Sequence, residues 1–437
     1  MRVLIITLLI VFSHATYSQM LQRTYPVHNG MISNIHDGYY GSENPVAFRG
    51  NMTFASQVFY DDKRKTTIIV SAGDASFSYG AAVYEIEHAT ENYRLSEFIP
   101  SSIEPNTDNH KIACVLVEDD STIVYRVEVH FSPLEIFYGE PGGLVDKGNF
   151  SNLLTYPNAF ILNDTIGIIA RIRDTRTQDR LYSVDGGRTF VYDRPLTGTF
   201  PSGTQPYPSV FSDWIDGSIV YYISNQRSYD GTYINYWKLS VYKATHFESA
   251  TNIAETVTDN FPITYTEMNN DFTIDLVDDD IHEARIMGGY VDESDDLHAV
   301  YINTEIDSIY FIRTQGSSLE RYTIPIDCEF VPPGDEVLPG NVTQINDFAE
   351  LVHRGGDRYD LFTWNFQGPL KKYSTEDAFF SVTGPETISP PGVEVRSMMG
   401  TRNYRPGKGW PYVIAYSYED PTILGKQFLG SYQYYPK

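Results

Sequence analysis

Short runs of alternating apolar and polar residues recur along this chain, separated by clusters of Asp, Asn and Gly. A two-residue period places successive side chains on opposite faces of a strand, whereas a helix needs apolar positions every three to four residues. Long stretches of helical period are hard to find, so the pattern predicts an all-β protein. The polar clusters predict turns, centred near residue 63 in "YDDKRK", 119 in "VEDDST", 164 in "LNDTIG", 216 in "WIDGSI", 294 in "DESDDL", 356 in "HRGGDR" and 407 in "RPGKGW". Each is flanked by runs that can pair as a hairpin. A hairpin in every unit, at a spacing near 50 residues, predicts a seven-bladed β-propeller, with six blades as the alternative. A propeller also lets so long an all-β chain form one domain, expected over residues 20–437.

The hairpins predict which residues meet at their open ends. In an antiparallel pair, directly opposed residues have Cβ atoms roughly 5 Å apart. With a two-residue turn at Asp119 and Asp120, His110 lies opposite Val129 and beside His130, and a one-residue bulge sets the imidazoles face to face. A turn at Asn163 and Asp164 sets Tyr156 opposite Arg171, and one at Asp216 and Gly217 pairs Tyr207 with Gln226. Three successive hairpins thus carry polar or ionisable residues at the same end. Each also has a structural role available: a histidine can cap a strand end, Tyr156 and Tyr207 precede prolines, and Arg171 or Arg173 can form a surface ion pair.

Composition narrows the function. The first residues, "MRVLIITLLIVFSHATYSQM", have one early arginine and a short apolar run, the pattern of a signal peptide over residues 1–19. No later apolar run approaches the roughly 20 residues of a membrane helix, so an exported protein, secreted or periplasmic and not membrane-bound, is expected. A formal charge of −25 argues against nucleic-acid binding, which depends on excess Lys and Arg. Cys114 and Cys328 could form one long-range disulfide or remain buried thiols. Cys328, His282, His298 and His353, or the carboxylates of "DLVDDDIHE", leave a structural zinc or calcium ion open without matching a tight ligand spacing.

The segment "SVDGGRTF", Ser183 to Phe190, fits the Asp-box pattern S-x-D-x-G-x-T-[FW] of sialidase-like propellers. The order "DNHKIACVL", "VHFSPLEIFYG", "TYPNAFIL…ARIRD", the Asp box and "QPYPSVFSDW…GSIVYYIS" resembles BNR-4 type repeat proteins. Within them it is most similar to the seven-bladed polysaccharide lyases that cut ulvan, a sulfated rhamnose and uronic acid polymer. One Asp box without an arginine triad argues against a sialidase. The resemblance implies His110, His130, Tyr156 and Arg171 as catalytic residues. It implies a further tyrosine for substrate, Tyr207 first, with Tyr221 and Tyr233 as rivals, and it leaves Arg173 as the alternative to Arg171; the hairpin pairing with Tyr207 adds Gln226 to the substrate-binding candidates.

Those residue types suit β-elimination on a uronate. The proton removed lies beside a carboxylate, so that carboxylate must be neutralised while a base acts. A guanidinium neutralises by a bidentate contact. A neutral imidazole accepts a proton near neutral pH, and a phenol can donate to the leaving oxygen. No metal is needed if arginine carries the first task, and a monomer acting on an anionic polysaccharide is expected. Arg171, Arg173, Arg176, Arg180 and Arg188 could focus that polyanion despite the overall charge, or pair with Asp174, Asp179 and Asp185. Two alternatives stay open. Glu128 and Asp108 keep a glycoside hydrolase in view, since hydrolysis usually needs a carboxylate pair. Abundant Tyr and Trp could serve a carbohydrate-binding propeller without catalysis.

Overall fold

A computed structural model of the chain describes residues 24–27, 30–39, 58–75, 78–88, 92–100, 112–116, 122–127, 132–172, 178–196, 204–229, 234–247, 263–273, 284–303, 308–315, 318–327, 349–364, 368–419 and 426–434. The expected signal peptide lies outside them. Every element among them is a strand, and every pairing is antiparallel, as the two-residue period predicts.

β1 (Thr24–Val27) and β2 (Gly30–Tyr39) open the chain. One four-stranded sheet follows from β3 (Val58–Asp61), β4 (Thr66–Ala75), β5 (Ser78–Glu87) and β6 (Asn92–Pro100). Seven strands form the next: β7 (Ile112–Leu116), β8 (Thr122–Val127), β9 (Ser132–Gly139), β10 (Val145–Leu162), β11 (Thr165–Ile172), β12 (Gln178–Ser183) and β13 (Val191–Leu196). Three more sheets have four strands each. They are β14 (Thr204–Ser212), β15 (Val220–Tyr229), β16 (Ile234–Phe247) and β17 (Ile263–Thr273); β18 (Ala284–Val291), β19 (Leu297–Asn303), β20 (Ser308–Gln315) and β21 (Ser318–Thr323); and β22 (Ala349–Gly355), β23 (Arg358–Trp364), β24 (Leu370–Thr375) and β25 (Thr383–Thr387). The last sheet combines β26 (Glu394–Gly400), β27 (Tyr412–Glu419) and β28 (Lys426–Tyr434) with β2 and β1.

All seven expected turns fall between paired strands: β3–β4, β7–β8, β10–β11, β14–β15, β18–β19, β22–β23 and β26–β27. Their chemistry is local. Asn163 and Asp164 both have positive φ, 48° and 61°, as a two-residue turn matched to strand twist requires. Three other turns begin with an aspartate whose Oδ1 accepts two backbone N–H groups. Asp61 takes those of Lys63 and Arg64, Asp213 those of Ile215 and Asp216, and Asp292 those of Ser294 and Asp296.

The sheets follow one another in a circuit. Contacts run from β3 to β7, then through β10, β14, β18, β22 and β26, and β27 returns to β3. Apolar side chains fill the spaces between sheets in three clusters, centred on Tyr125, Ile136 and Ile168, on Phe311, Leu361 and Tyr416, and on Val58, Tyr84, Met399 and Val413. The third cluster joins the early sheet to the last one.

The loop from Thr401 to Pro411 completes this junction. The Arg402 N–H donates to the Val58 carbonyl at 2.9 Å. The Asn403 side chain acts as a missing strand partner: its Oδ1 accepts the Tyr60 N–H at 2.8 Å and its Nδ2 donates to the Tyr60 carbonyl at 2.7 Å. Two residues on, the buried Arg405 donates to Asp213 and, at 3.1 Å, to Asp216 in the β14–β15 turn. Asn403→Ala strands a buried donor and acceptor on Tyr60, so it should cost about 2 kcal/mol or more. Urea denaturation checks this; an unchanged midpoint would show that the side chain does not hold the junction.

Candidate functional site

The first strand of each hairpin and the strand it pairs with leave an open end opposite the turn. Tyr156 in β10, Arg171 in β11, Tyr207 in β14 and Gln226 in β15 all lie toward open ends, and β10 touches β14. The backbones of these four are described. His110, His130, Arg173 and Tyr233 lie outside the described residues. The described backbone thus places these four positions toward the open ends of two hairpins whose strands β10 and β14 are in contact.

The registers differ from expectation in instructive ways. Leu162 opposes Thr165 and Asn158 opposes Ile169, as a turn at Asn163 and Asp164 requires, but a register shift then intervenes and Arg171 opposes Thr155. Tyr156 and Pro157 occupy that bulge. Proline has no N–H to give the ladder, so a bulge on a first strand accommodates it. In the β14–β15 hairpin Tyr207 opposes Asn225, and Gln226 opposes Pro206. The connection is a loop from Asp213 to Ile219, not a two-residue turn at Asp216 and Gly217, and its ends are tied by the Asp213 N–H to the Ile219 carbonyl. Likewise Ile112 opposes Arg126, one residue from the expected Val127.

Two other expectations need correction. Tyr221 sits beside the turn, not at the open end, opposite Phe211. It is fully buried, and its hydroxyl donates to the Asp295 carbonyl at 2.7 Å and meets Thr314 Oγ1 at 3.1 Å. Its full burial and these two contacts make it a packing residue between sheets, and the burial also pushes its phenol up to about 12. Arg188 is also displaced from the supposed basic patch. β12 runs back from Gln178, opposite Arg171, to Ser183, opposite Ile166, so the turn beyond it lies at the far end of the hairpin. There Arg188 Nη1 donates to the Asp185 carbonyl at 2.6 Å.

The Ser183–Phe190 turn is organised by its own side chains. Ser183 Oγ accepts the Gly187 N–H at 2.8 Å, and Asp185 accepts the N–H and hydroxyl of Thr189 at 2.9 and 2.6 Å. Burial raises the Asp185 carboxyl, but these hydrogen bonds outweigh it and bring it down to about 2. The same arrangement recurs between β24 and β25 in "TEDAFFS". Thr375 Oγ1 accepts the Phe379 N–H at 3.0 Å, and Asp377 accepts the N–H and hydroxyl of Ser381 at 2.8 and 2.6 Å. Ala378 and Phe379, at φ 53° and 70°, stand where the first turn has Gly186 and Gly187. Without glycines the second copy is hard to see in the sequence; the Thr-x-Asp…Ser spacing was its signal.

Two buried polar clusters were also missed. Glu350 on β22 is enclosed by Gly288 and Gly400, receives the Tyr412 hydroxyl at 3.1 Å and has Arg402 Nη1 at 3.7 Å. Burial raises its carboxyl despite the nearby Arg402. Between the β18–β21 and β22–β25 sheets, His298 Nδ1 meets the Tyr359 hydroxyl at 2.8 Å and its Nε2 meets Asp292 Oδ2 at 3.0 Å. His353 stacks on His298 with centroids 5.1 Å apart, and its Nε2 bonds the Gly356 carbonyl at 2.7 Å. Both nitrogens of His298 are engaged, so a metal would have to displace Asp292 or Tyr359. Among the described residues no three His, Cys, Asp or Glu side chains form a metal site. His282, Cys328 and residues 275–283 lie outside them, and only the backbone of Cys114 is described.

No family model matches this chain, and no curated protein matches it. Solved structures do. An ulvan lyase of polysaccharide lyase family PL25, bound to -[GlcA(1-4)Rha3S]-, is similar over 93% of this chain and 95% of its own, with a TM-score of 0.60 and 10% identity. The polysaccharide lyase Uly1 is similar over 92% of each chain, with a TM-score of 0.56 and 11% identity. The fold is therefore that of ulvan-lyase-like all-β proteins.

Burial, reinforced by the nearby His298, lowers the His353 imidazole from 6.5 to about 4. The unfolded chain takes up this proton as pH falls through about 6.5, whereas the folded one resists until about 4. The stability held by keeping His353 neutral is complete above the first value and lost toward the second. Urea midpoints measured from pH 7 to 4.5 should fall, and fall less steeply in His353→Phe; parallel curves would show that His353 does not contribute.

Proposed function

We propose that this chain is an exported polysaccharide lyase that cleaves an ulvan-like, uronic-acid-containing sulfated polymer by β-elimination. The observation that carries the reading is the likeness to PL25 ulvan lyases over 93% of the chain. The backbones of Tyr156, Arg171 and Tyr207 at adjoining open ends agree with it. The substrate named with one of those structures is an anionic polysaccharide unit.

The reading includes seven blades. The long β10 pairs with β9 through Val145–Leu154 and with β11 through Leu154–Leu162. The seven-stranded sheet then divides into β7, β8, β9 and the first part of β10, and the second part of β10 with β11, β12 and β13. β2, paired with β28, supplies the fourth strand of the last blade.

In this mechanism Arg171 neutralises the uronate carboxylate by a bidentate contact, which makes the neighbouring C–H acidic enough to ionise. His110 and Tyr156 divide the proton transfers: one takes the C5 proton and the other gives a proton to the departing glycosidic oxygen at C4. His130 and the Tyr207 hydroxyl stabilise the charge that builds up between these events. Tyr233, Gln226 and Arg173 bind the neighbouring sugar units. The products are a reducing end and an unsaturated uronate.

Incubation with ulvan should produce ultraviolet absorbance from the unsaturated product, with an unsaturated terminal residue seen by mass spectrometry. Reducing ends formed without unsaturation would replace this reading with hydrolysis. His110→Asn should reduce kcat roughly 100-fold or more with KM little changed. Arg171→Lys should impair both constants and Arg173→Lys much less, because a lysine cannot reproduce the guanidinium fork. The reverse order would assign the carboxylate contact to Arg173.

A further inference from the structure

Away from the open ends, a cavity of about 350 Å³ lies where the turns of different sheets meet. It is lined by the β10–β11 turn, the Ser183–Phe190 turn, the β14–β15 loop and Asn403 of the closing loop. That volume suits one or two sugar rings, near the lower end of small-ligand pockets.

Its surface is unusual for a protein exterior. Val184 is 70% exposed and Ile215 is 37% exposed, and both stand on its wall beside the half-buried Trp214. Three apolar side chains from two separate turns around one hollow form a patch that a solvated surface does not need. The Trp214 ring is fixed by an edge-on contact with Phe59, centroids 5.0 Å apart and planes at 86°. The turns carrying the wall are held closely together: a Cβ on Gly217 would lie 3.2 Å from Ile161 Cγ2 and 3.4 Å from the Asn163 nitrogen. The wall is therefore assembled before any ligand arrives.

The polar groups set the class of ligand. Asp164 and Asp216 line the cavity, Asp216 Oδ2 accepts from Arg405 at 3.1 Å, and Arg188 is engaged by the Asp185 carbonyl. Asp185 is committed to Thr189 and Ser183 within its own turn. Arg405 is shared between Asp213 and Asp216, so among the lining residues the carboxylates of Asp164, Asp185 and Asp216 still outnumber the cations and a uronate or sulfate is disfavoured. Hydroxyl groups suit the site, because a carboxylate accepts two or more hydrogen bonds from donors. Aliphatic C–H faces suit Trp214, Ile215 and Val184.

We propose that this cavity is a binding site for an uncharged saccharide, with one sugar face against Trp214 and hydroxyls donating to Asp164 and Asp216. It does not depend on the lyase reading, and the anionic substrate of that reading is a ligand it would reject.

The test uses the full chain and saturation-transfer NMR with methyl glycosides of glucose, galactose, mannose and rhamnose, with glucuronate, glucosamine and calcium as controls. At least one neutral glycoside should bind with a Kd of about 1–10 mM. Trp214→Ala should weaken it tenfold or more. Because Trp214 also packs on Phe59, Asp164→Asn provides a second variant at an exposed turn position that tolerates asparagine. It should weaken the neutral glycoside at least threefold and leave polymer cleavage unchanged. The proposal is overturned if no neutral glycoside binds, if glucuronate, glucosamine or calcium binds more tightly, or if affinity is unchanged in Asp164→Asn.

Discussion

An antiparallel sheet satisfies its backbone within itself except at its edges, and a circuit of sheets must also join its first member to its last. Everything else in this fold depends on that junction. β2 crosses from the start of the chain to pair with β28, and Asn403 offers the short strand β3 a side-chain amide in place of a neighbouring backbone. The apolar cluster of Val58, Tyr84, Met399 and Val413 fills the space behind it. Hydrogen bonds give the junction its direction, and burial supplies most of its free energy. With the circuit closed, the first strands keep fixed neighbours.

The sequence was most legible where structure is local. Alternation located the strands, and Asp, Asn and Gly clusters located all seven hairpins, because turn residues act through their own backbone and nearest N–H groups. Register was less legible. One extra residue in a loop shifts every opposed pair, and the loop at Asp213–Ile219 is longer than a two-residue turn. The bulge at Tyr156 and Pro157 was foreshadowed by its proline, which cannot donate to a ladder. Contacts distant in sequence left no local mark at all: nothing near Arg405 announces Asp213, and nothing near Glu350 announces Gly288 or Tyr412. Of the candidate site, the turn motifs fixed which strand end the backbones of Tyr156, Arg171, Tyr207 and Gln226 occupy, while Tyr221 and Arg188 fell elsewhere because position along a strand depends on register and strand direction together.

The two ends of the hairpins differ in chemistry. At the turn end many polar groups hold one another in place: aspartates cap backbone N–H groups, Arg405 bridges to a distant loop, and His298 is held between Asp292 and Tyr359. The backbones of Tyr156, Arg171, Tyr207 and Gln226 lie at the other end, away from these turns.

β10 has a mechanical meaning of its own. Its 18 residues hydrogen-bond to β9 along one part and to β11 along the other, without an intervening loop. Because β10 is shared by both groups of strands, opening of β7–β9 pulls directly on the hairpin that carries Arg171. The two groups of strands therefore constitute one cooperative unit, and amide exchange within them is expected to follow a common, slow opening rather than two independent ones.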